Sequence, residues 1–501
     1  MTTQTAKNKA FIGISIAALL AGCSVTPKPI TPGELATRAD ENAAKVTADQ
    51  EPVAAPIGLY DAMARALKYN LDYKVELMEA ALKSRELNLS TYDMLPQLVA
   101  SGGYAGRNNF AGASSLSLIT RRQSLEPSTS SDRGIWSADL SLSWDVLDFG
   151  LSYVRAQQKA NEGLIALERR RKVANRIIED VRTAYWRAVS AERLLVKLKE
   201  LEGNVSTTLT NSERLAERRL SAPLTALTYQ RELIDIKANI QQLQRELVIA
   251  KSQLAALMNL QPGTEFTLVM PERTATPPTV SVAGEEMVMT ALRNRAELRE
   301  INYRERINKK ELDAALLSAL PSLRGVIGGN VDSNSFLFNS DWLQYGARAS
   351  WNILNLFKLP AQKKVIQAQD DLLRQRELAL TMAVMTQVHV ARANYAHLTG
   401  ELDTASHQYS VQNKIMYQIR SGFKAGAMSQ QTLLREEMNT LVSEVKYDIA
   451  YAQAQNAYAN LFSSMGIDEF APDVTGREDV AALSTSLSTL WSARATALKL
   501  D

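Results

Sequence analysis

The sequence predicts a mainly helical chain carrying two pairs of amphipathic β-strands, built from a helix, strand, strand, long helix and helix unit that occurs twice. Three observations carry this reading. Residues Asp139 to Gly150 alternate Leu140, Leu142, Trp144 and Val146 with Ser141, Ser143 and Asp145, the period of a strand with one apolar and one wet face. After Gly150 the period becomes helical and stays so for about 70 residues. The same change recurs at Arg348 to Phe357, where Trp351 follows Trp144 by 207 residues.

In 501 residues there are only 23 Gly and 15 Pro, gathered in a few places, which suits long uninterrupted elements. The formal net charge is +3 and falls to +1 without Lys7 and Lys9, so no basic stripe points to nucleic acid as a partner. Lys7 and Lys9 precede the short apolar run Phe11 to Leu20 and then Leu20-Ala21-Gly22-Cys23. That run is too short to span a bilayer and reads as a signal peptide, residues 1–22. Leu-Ala-Gly-Cys resembles the bacterial lipobox, which makes Cys23, the single cysteine of the chain, the expected acylated N-terminus. Ser24 in place of Asp resembles the outer-membrane sorting choice. Residues 23–56, with five prolines, read as a tether holding a short helix near Gly33 to Val46.

Repeat 1 is expected over 57–260. A helical pattern from Leu59 through Ala62, Ala66, Leu67, Leu71, Val75, Met78, Leu82 and Leu89 stops at Leu95-Pro96, because proline cannot continue a helix. Strands follow at about 97–107 and 136–148 around the polar loop Asn108 to Arg133. The first long helix ends near Arg219-Leu220-Ser221-Ala222-Pro223, and a return helix closes at Leu257-Met258-Asn259-Leu260. The Pro-rich linker 261–284 holds one short strand, Glu265 to Val269. Repeat 2, 285–467, runs the same course: Leu320-Pro321, strands at about 322–331 and 342–354, and a second long helix with Pro360 in its first turn. It turns at Gly426-Ala427-Met428-Ser429 and closes at Ser464-Met465-Gly466-Ile467. The tail 468–501 reads as a weak, peripheral helix. At 1.5 Å per residue, a run of about 70 residues is on the order of 100 Å long, which a coiled coil or helical barrel accommodates and a compact globule does not.

Strands of about ten residues match tilted transmembrane β-strands, and beyond the leader no stretch is long and apolar enough for a membrane helix. Four strands cannot close a membrane barrel, since the smallest have about eight, and open edges are not tolerated in lipid. Copies of the chain would therefore have to share one barrel. Tyr104, Trp144, Phe149, Tyr345 and Trp351 would form its aromatic girdle, while Ser141, Ser143, Asp145, Ser350 and Asn352 would line water. The alternative is a lipid-anchored periplasmic coiled-coil scaffold or adaptor without a pore, which would not need amphipathic hairpins.

The span from about residue 59 to 467 resembles the TolC-like outer-membrane factor family, in its lipoprotein branch. The matching residues are Ala66-Leu67-Lys68-Tyr69-Asn70 and Ala291-Leu292-Arg293-Asn294, the two Leu-Pro stops, the Trp144 and Trp351 strands, the Gly426 to Leu434 turn and the Leu-Met-Asn-Leu ending. The resemblance implies a homotrimer in the outer membrane, with a 12-stranded β-barrel continuous with a long periplasmic α-helical barrel. It would be the exit duct of a tripartite efflux pump or a type I secretion system. The implied partners are a periplasmic adaptor, docked at Leu220, Ser221, Ala222 and Pro223 and at Gly426, Ala427, Met428 and Ser429, and indirectly an inner-membrane RND or ABC transporter. Glu436 and Glu437 would form a periplasmic gate. The sequence departs from the family where a proline is usual: Leu71 and Ala296 stand there, so a subtler bend is expected. The first tip also lacks the usual glycine.

Nothing in the chain points to catalysis, a cofactor or a metal. His389, His397 and His407 share one long helix but stand two turns or more apart, too far for one ion. Gly325-Val326-Ile327-Gly328-Gly329 lacks the Lys-Ser/Thr of a phosphate loop, and no nucleophile-base set appears.

Overall fold

A computed structural model describes residues 27–124, 126–218, 223–271, 280–467 and 478–497. The leader and Cys23 lie outside the described residues, as do Leu220, Ser221 and Ala222. The chain divides after Pro52 into two compact units. The described part of the first holds helix α1 (Pro32–Lys45). The Thr31 hydroxyl accepts from the Glu34 amide at 3.3 Å and the Glu34 carboxylate accepts from the Thr31 amide at 2.8 Å. Two donors without helical partners are thereby satisfied.

The second unit opens with α2 (Leu59–Tyr69) and α3 (Leu71–Tyr92). The expected bend between them is a complete break. Asn70 is extended (φ −60°, ψ 127°), its side-chain oxygen accepts from the Tyr73 amide at 3.2 Å, and its side-chain Nδ2 donates to the Leu257 carbonyl at 3.3 Å. Asparagine thus ends one helix and caps the next, a role its short acceptor suits. The later pair, α6 (Gly284–Asn294) and α7 (Ala296–Ser318), breaks at Arg295 with φ −64° and ψ 130°. No side-chain cap exists there; instead the guanidinium holds Glu297 at 3.0 Å, Gln387 at 2.8 Å and the Ser463 carbonyl at 3.1 Å.

Four strands, β1 (Gln97–Gly106), β2 (Gly134–Asp145), β3 (Ser322–Asp332) and β4 (Asp341–Ser350), form one antiparallel sheet in the order β1-β2-β3-β4. β2 stops earlier than expected. Asp145 accepts from the amides of Leu147 at 2.9 Å and Asp148 at 3.3 Å, so it caps α4 (Val146–Glu217), and Phe149 and Gly150 are helical. Likewise β4 ends at Ser350, leaving Trp351 and Asn352 outside the sheet, and α8 (Leu354–Lys424) begins early enough to put Pro360 beyond its first turn. Pro360 leaves one carbonyl of α8 without its helical donor. The linker strand expected at Glu265 to Val269 reduces to one parallel bridge between Ile57 and Leu268.

Helices α4 and α8 have 72 and 71 residues. Each is followed by a return helix, α5 (Pro223–Leu257) and α9 (Gln430–Met465). Side by side, α3 lies on α4, α4 on α7 and α7 on α8, the same lateral order as the strands that follow or precede them. The buried apolar residues fall in separate clusters along this wall. Ala62, Met63 and Leu67 of α2 meet Ile178, Val181 and Tyr185 of α4; farther on, Leu194, Leu198 and Val205 meet Leu233 and Ile240 of α5 and Leu434 and Leu441 of α9. A third cluster joins Met287 of α6, Val388 of α8 and Phe462 of α9.

The tail helix α10 (Val480–Ala497) is not peripheral. Leu483 and Leu487, 4% and 2% exposed, sit in the α2–α4 cluster, while Trp491 lies under the Arg182 guanidinium at 4.1 Å and against Phe462 at 5.6 Å. One helix therefore ties clusters from both halves of the chain, and its few large side chains are the ones that reach them. Leu487→Ala is expected to cost about 2–5 kcal/mol, the range for emptying a buried leucine site. Urea unfolding of the purified protein checks this; an unchanged midpoint would return α10 to the periphery.

Candidate functional site

The register of the sheet sorts its side chains without ambiguity. Directly opposed residues of antiparallel strands share a face, and the pairs Leu98–Leu142, Leu142–Ile327 and Ile327–Tyr345 set one cross-strand row. Extending it, one face carries Leu98, Ala100, Gly102 and Tyr104 of β1, then Trp136, Ala138, Leu140, Leu142 and Trp144 of β2. It continues with Leu323, Gly325, Ile327, Gly329 and Val331 of β3 and Leu343, Tyr345, Ala347 and Ala349 of β4. No charge interrupts it until Asp341 at the end. The opposite face is mainly polar, with Ser101, Ser137, Asp139, Ser141, Ser143, Arg324, Asn330, Gln344, Arg348 and Ser350 set among Val99, Ile135, Val326 and Trp342.

In a protein folded in water the apolar face would be covered. Here it is bare: Leu140, Trp144, Ile327 and Val331 are exposed, while on the other side Ser141, Ser143 and Asn330 of the two inner strands are half-buried and Ser101, Gln344 and Arg348 of the outer strands are exposed. All four junctions with helices lie at one end of the sheet, and the loops 107–133 and 333–340 lie at the other. β1 and β4 are the outer strands, each with an edge that no strand among the described residues covers.

The expected girdle residues Tyr104, Trp144, Phe149, Tyr345 and Trp351 are all exposed. They do not form one band. Tyr104 packs on Trp136 at 4.8 Å near the loop end, while Trp144 meets Phe149 edge-on at 5.6 Å where strand becomes helix. Trp351 donates from Nε1 to the Ala319 carbonyl at 2.9 Å at that same end. Trp136 was missing from the expected set although it begins the period-2 run; Trp342 falls on the polar face by register with Asn330. Asp145 and Asn352 do not line the polar face. Asp145 is buried, capping α4 and bound by Ser322, with Arg324 at 3.6 Å, and Asn352 follows the last strand.

Away from the sheet, α3 exposes Val75, Met78, Leu82 and Leu89, a stripe at three-, four- and seven-residue spacing, and α8 exposes Val365, Leu372 and Met382. These helices are the outer members of the row that β1 and β4 begin and end. Bare apolar helices and bare strand edges thus fall on the same two flanks.

At the far end of α8, Gly426 takes φ +72° and the Ala427 amide donates to the Gly422 carbonyl at 2.8 Å, a closure that glycine suits. Met428 folds over Gly422, and Ser429 caps α9 by accepting from the Thr432 amide at 3.1 Å. Of the other tip, Pro223 is the first residue of α5. Glu436 accepts from Gln412 at 2.9 Å and Glu437 pairs with Arg420 at 3.3 Å, so both carboxylates bridge α8 and α9 near this turn.

Among the described residues no cluster of His, Cys, Asp or Glu could hold a metal ion, and His389, His397 and His407 are exposed along α8. Burial pushes the phenols of Tyr185 and Tyr395 up, the latter to about 12, so they remain neutral core residues rather than acids or bases. No described helix is long and apolar enough to cross a membrane.

No protein-family model and no curated protein sequence matches the chain. Solved structures do. The Campylobacter jejuni CmeC outer membrane channel aligns with a TM-score of 0.60 at 15% identity, covering 93% of this chain and 93% of that one. MtrE, an outer membrane channel of Neisseria gonorrhoeae captured in an open state, gives 0.59 at 15% identity over 89% of this chain and 98% of its own. CusC, studied for transmembrane channel formation, gives 0.60 at 16% identity over 89% of this chain and 100% of its own. The fold of this chain is the fold of these outer-membrane channels.

Proposed function

We propose that copies of this chain close into a β-barrel in the outer membrane, continuous with a tunnel of long helices, and that this pore is the exit duct of a tripartite efflux pump or type I secretion system. The carrying observation is the sheet, one face of which is apolar and left exposed while the other is mainly polar. Such a sheet suits lipid outside and water inside, yet its two uncovered edges are not tolerated in hydrocarbon. Joining β4 of one copy to β1 of the next removes every edge, and the same head-to-tail step sets the bare flank of α8 beside the bare stripe of α3. A rotation that closes makes a ring. Three copies would give twelve strands, within the range of known membrane barrels, and agree with the TolC-like outer-membrane factor family that the sequence resembles. The test is purification in detergent and planar-bilayer recording: a heat-dissociable trimer that conducts is expected, and a non-conducting single chain would overturn the proposal.

Within this reading Cys23 carries the acyl anchor. Residues Leu220 to Pro223 and Gly426 to Ser429 are the tips on which a periplasmic adaptor docks, linking the duct to an RND or ABC transporter of the inner membrane. Glu436 and Glu437 act at the periplasmic gate by holding α8 against α9 through Gln412 and Arg420. Replacing both by glutamine is expected to raise single-channel conductance and weaken cation preference. Unchanged current and selectivity would remove the gate assignment.

A further inference from the structure

The loop between β1 and β2 is a folded hairpin rather than a slack connection. Ala113 and Ser128 exchange backbone hydrogen bonds at 2.9 Å in both directions, and the Ser124 amide donates to the Ser115 carbonyl at 2.8 Å. At the apex the Ser117 amide donates to the Arg122 carbonyl and the Arg121 amide to the Ser117 carbonyl, both at 2.9 Å, with Arg121 at φ +53°. This turn raises Leu118 and Ile119 to 84% and 93% exposure. Two aliphatic side chains at the point of a hydrogen-bonded hairpin are out of place in water.

Beside them Arg121 and Arg122 are exposed and form no ion pair with any described residue. The segment 107–133 carries four arginines against Glu126 and Asp132. Asp132 is already engaged by the Ser335 amide at 2.6 Å, a bond that also ties this loop to the β3–β4 turn, where Phe338 is fully exposed. An apolar point with cations directly behind it is the arrangement that enters a lipid surface whose headgroups are anionic: the aliphatics take the acyl boundary and the guanidiniums take phosphate.

We propose that the hairpin apex Leu118–Arg122 inserts into the outer-leaflet surface of the membrane that holds the barrel, with Arg121 and Arg122 on the phosphates of an anionic glycolipid such as lipid A. The inference rests on the outer-membrane reading of the sheet. It follows from charge complementarity and from continuity, since the hairpin springs from the loop ends of the two strands whose apolar face would already lie in lipid.

The test uses the full chain in nanodiscs of phosphatidylcholine alone or mixed with lipid A. Single cysteines at Ile119, Leu140 or Asn109 are alkylated with a membrane-impermeant maleimide and read at the labelled peptide by mass spectrometry, so Cys23 does not interfere. Ile119→Cys should react freely in phosphatidylcholine and several-fold more slowly with lipid A, and adding Arg121→Ser and Arg122→Ser should restore the fast rate. Equal reaction in both discs would overturn the proposal, as would equal protection in both, which would place the apex against protein at the pore mouth. Asn109→Cys reports open water. Leu140→Cys separates the two levels: its protection keeps the barrel reading intact whatever the apex does, and its free labelling would sink that reading itself.

Discussion

Arginine at Leu140 is expected to abolish assembly in the outer membrane, whereas arginine at Ser141, one residue along the same strand, is expected to leave assembly intact and change the current. Both positions lie near the middle of β2, and the register puts them on opposite faces. On the lipid face of a membrane barrel an arginine near the midplane costs about 2–4 kcal/mol, and every copy in the ring would bear it. Ser141 faces the polar side, opposite Val99 and beside Gly328; there the guanidinium finds water and only alters the field that ions cross. Heat-modifiable oligomer in outer-membrane fractions measures assembly, and bilayer conductance measures the lumen. Equal behaviour of the two variants, or loss of assembly only with Ser141→Arg, would mean that the faces have been assigned the wrong way round.

The second large effect is at Gly466. Among the described residues two glycines end helices in the left-handed region, Gly426 at φ +72° and Gly466 at φ +67°, yet their surroundings differ. A Cβ on Gly426 would meet nothing within 4 Å, so Gly426→Ala should cost only the backbone preference, about 1 kcal/mol. A Cβ on Gly466 would stand 2.8 Å from the Arg295 nitrogen and from the Asn294 carbonyl carbon. Those atoms are the backbone of the α6–α7 break, itself held by the Arg295 side chain on the Ser463 carbonyl at 3.1 Å. Backbone cannot swing aside as a side chain can. Gly466→Ala should therefore cost about 2–5 kcal/mol, the conformational term plus that of overpacking. Unfolding midpoints of the two variants in detergent settle it: matching small shifts would show that the break does not rest on Gly466.

Much of this was legible in the residues. The alternation of Leu140, Leu142 and Trp144 with serines can only be a two-faced strand, and the stop at Leu95-Pro96 and the closure around Gly426 follow from what proline and glycine do to a helix. Asn70 was legible in principle, as a good N-cap between two helical patterns. Arg295 was not, because its break depends on Glu297, Gln387 and Ser463, two of them far away in sequence. The strand ends were misplaced for a similar reason. Val146 and Phe149 prolong an apolar pattern, and only the Asp145 carboxylate turned onto the Leu147 and Asp148 amides shows that the helix has begun.

The candidate site divides the same way. Periodicity marked Val75, Met78, Leu82 and Leu89 as one helical stripe but could not say that the chain leaves it bare, since a face buried by its own fold and a face waiting for another copy have the same spacing. The tail shows the reverse: short and weakly patterned, α10 becomes central because Leu483, Leu487 and Trp491 fall where two clusters meet. Local sequence determined the long helices, the four amphipathic strands and the turns between them, because period, proline and glycine act over a few residues. Which face of each element is covered, which edges stay open and which residues hold the breaks were decided by tertiary structure, since burial and register depend on neighbours that the chain brings together only by folding.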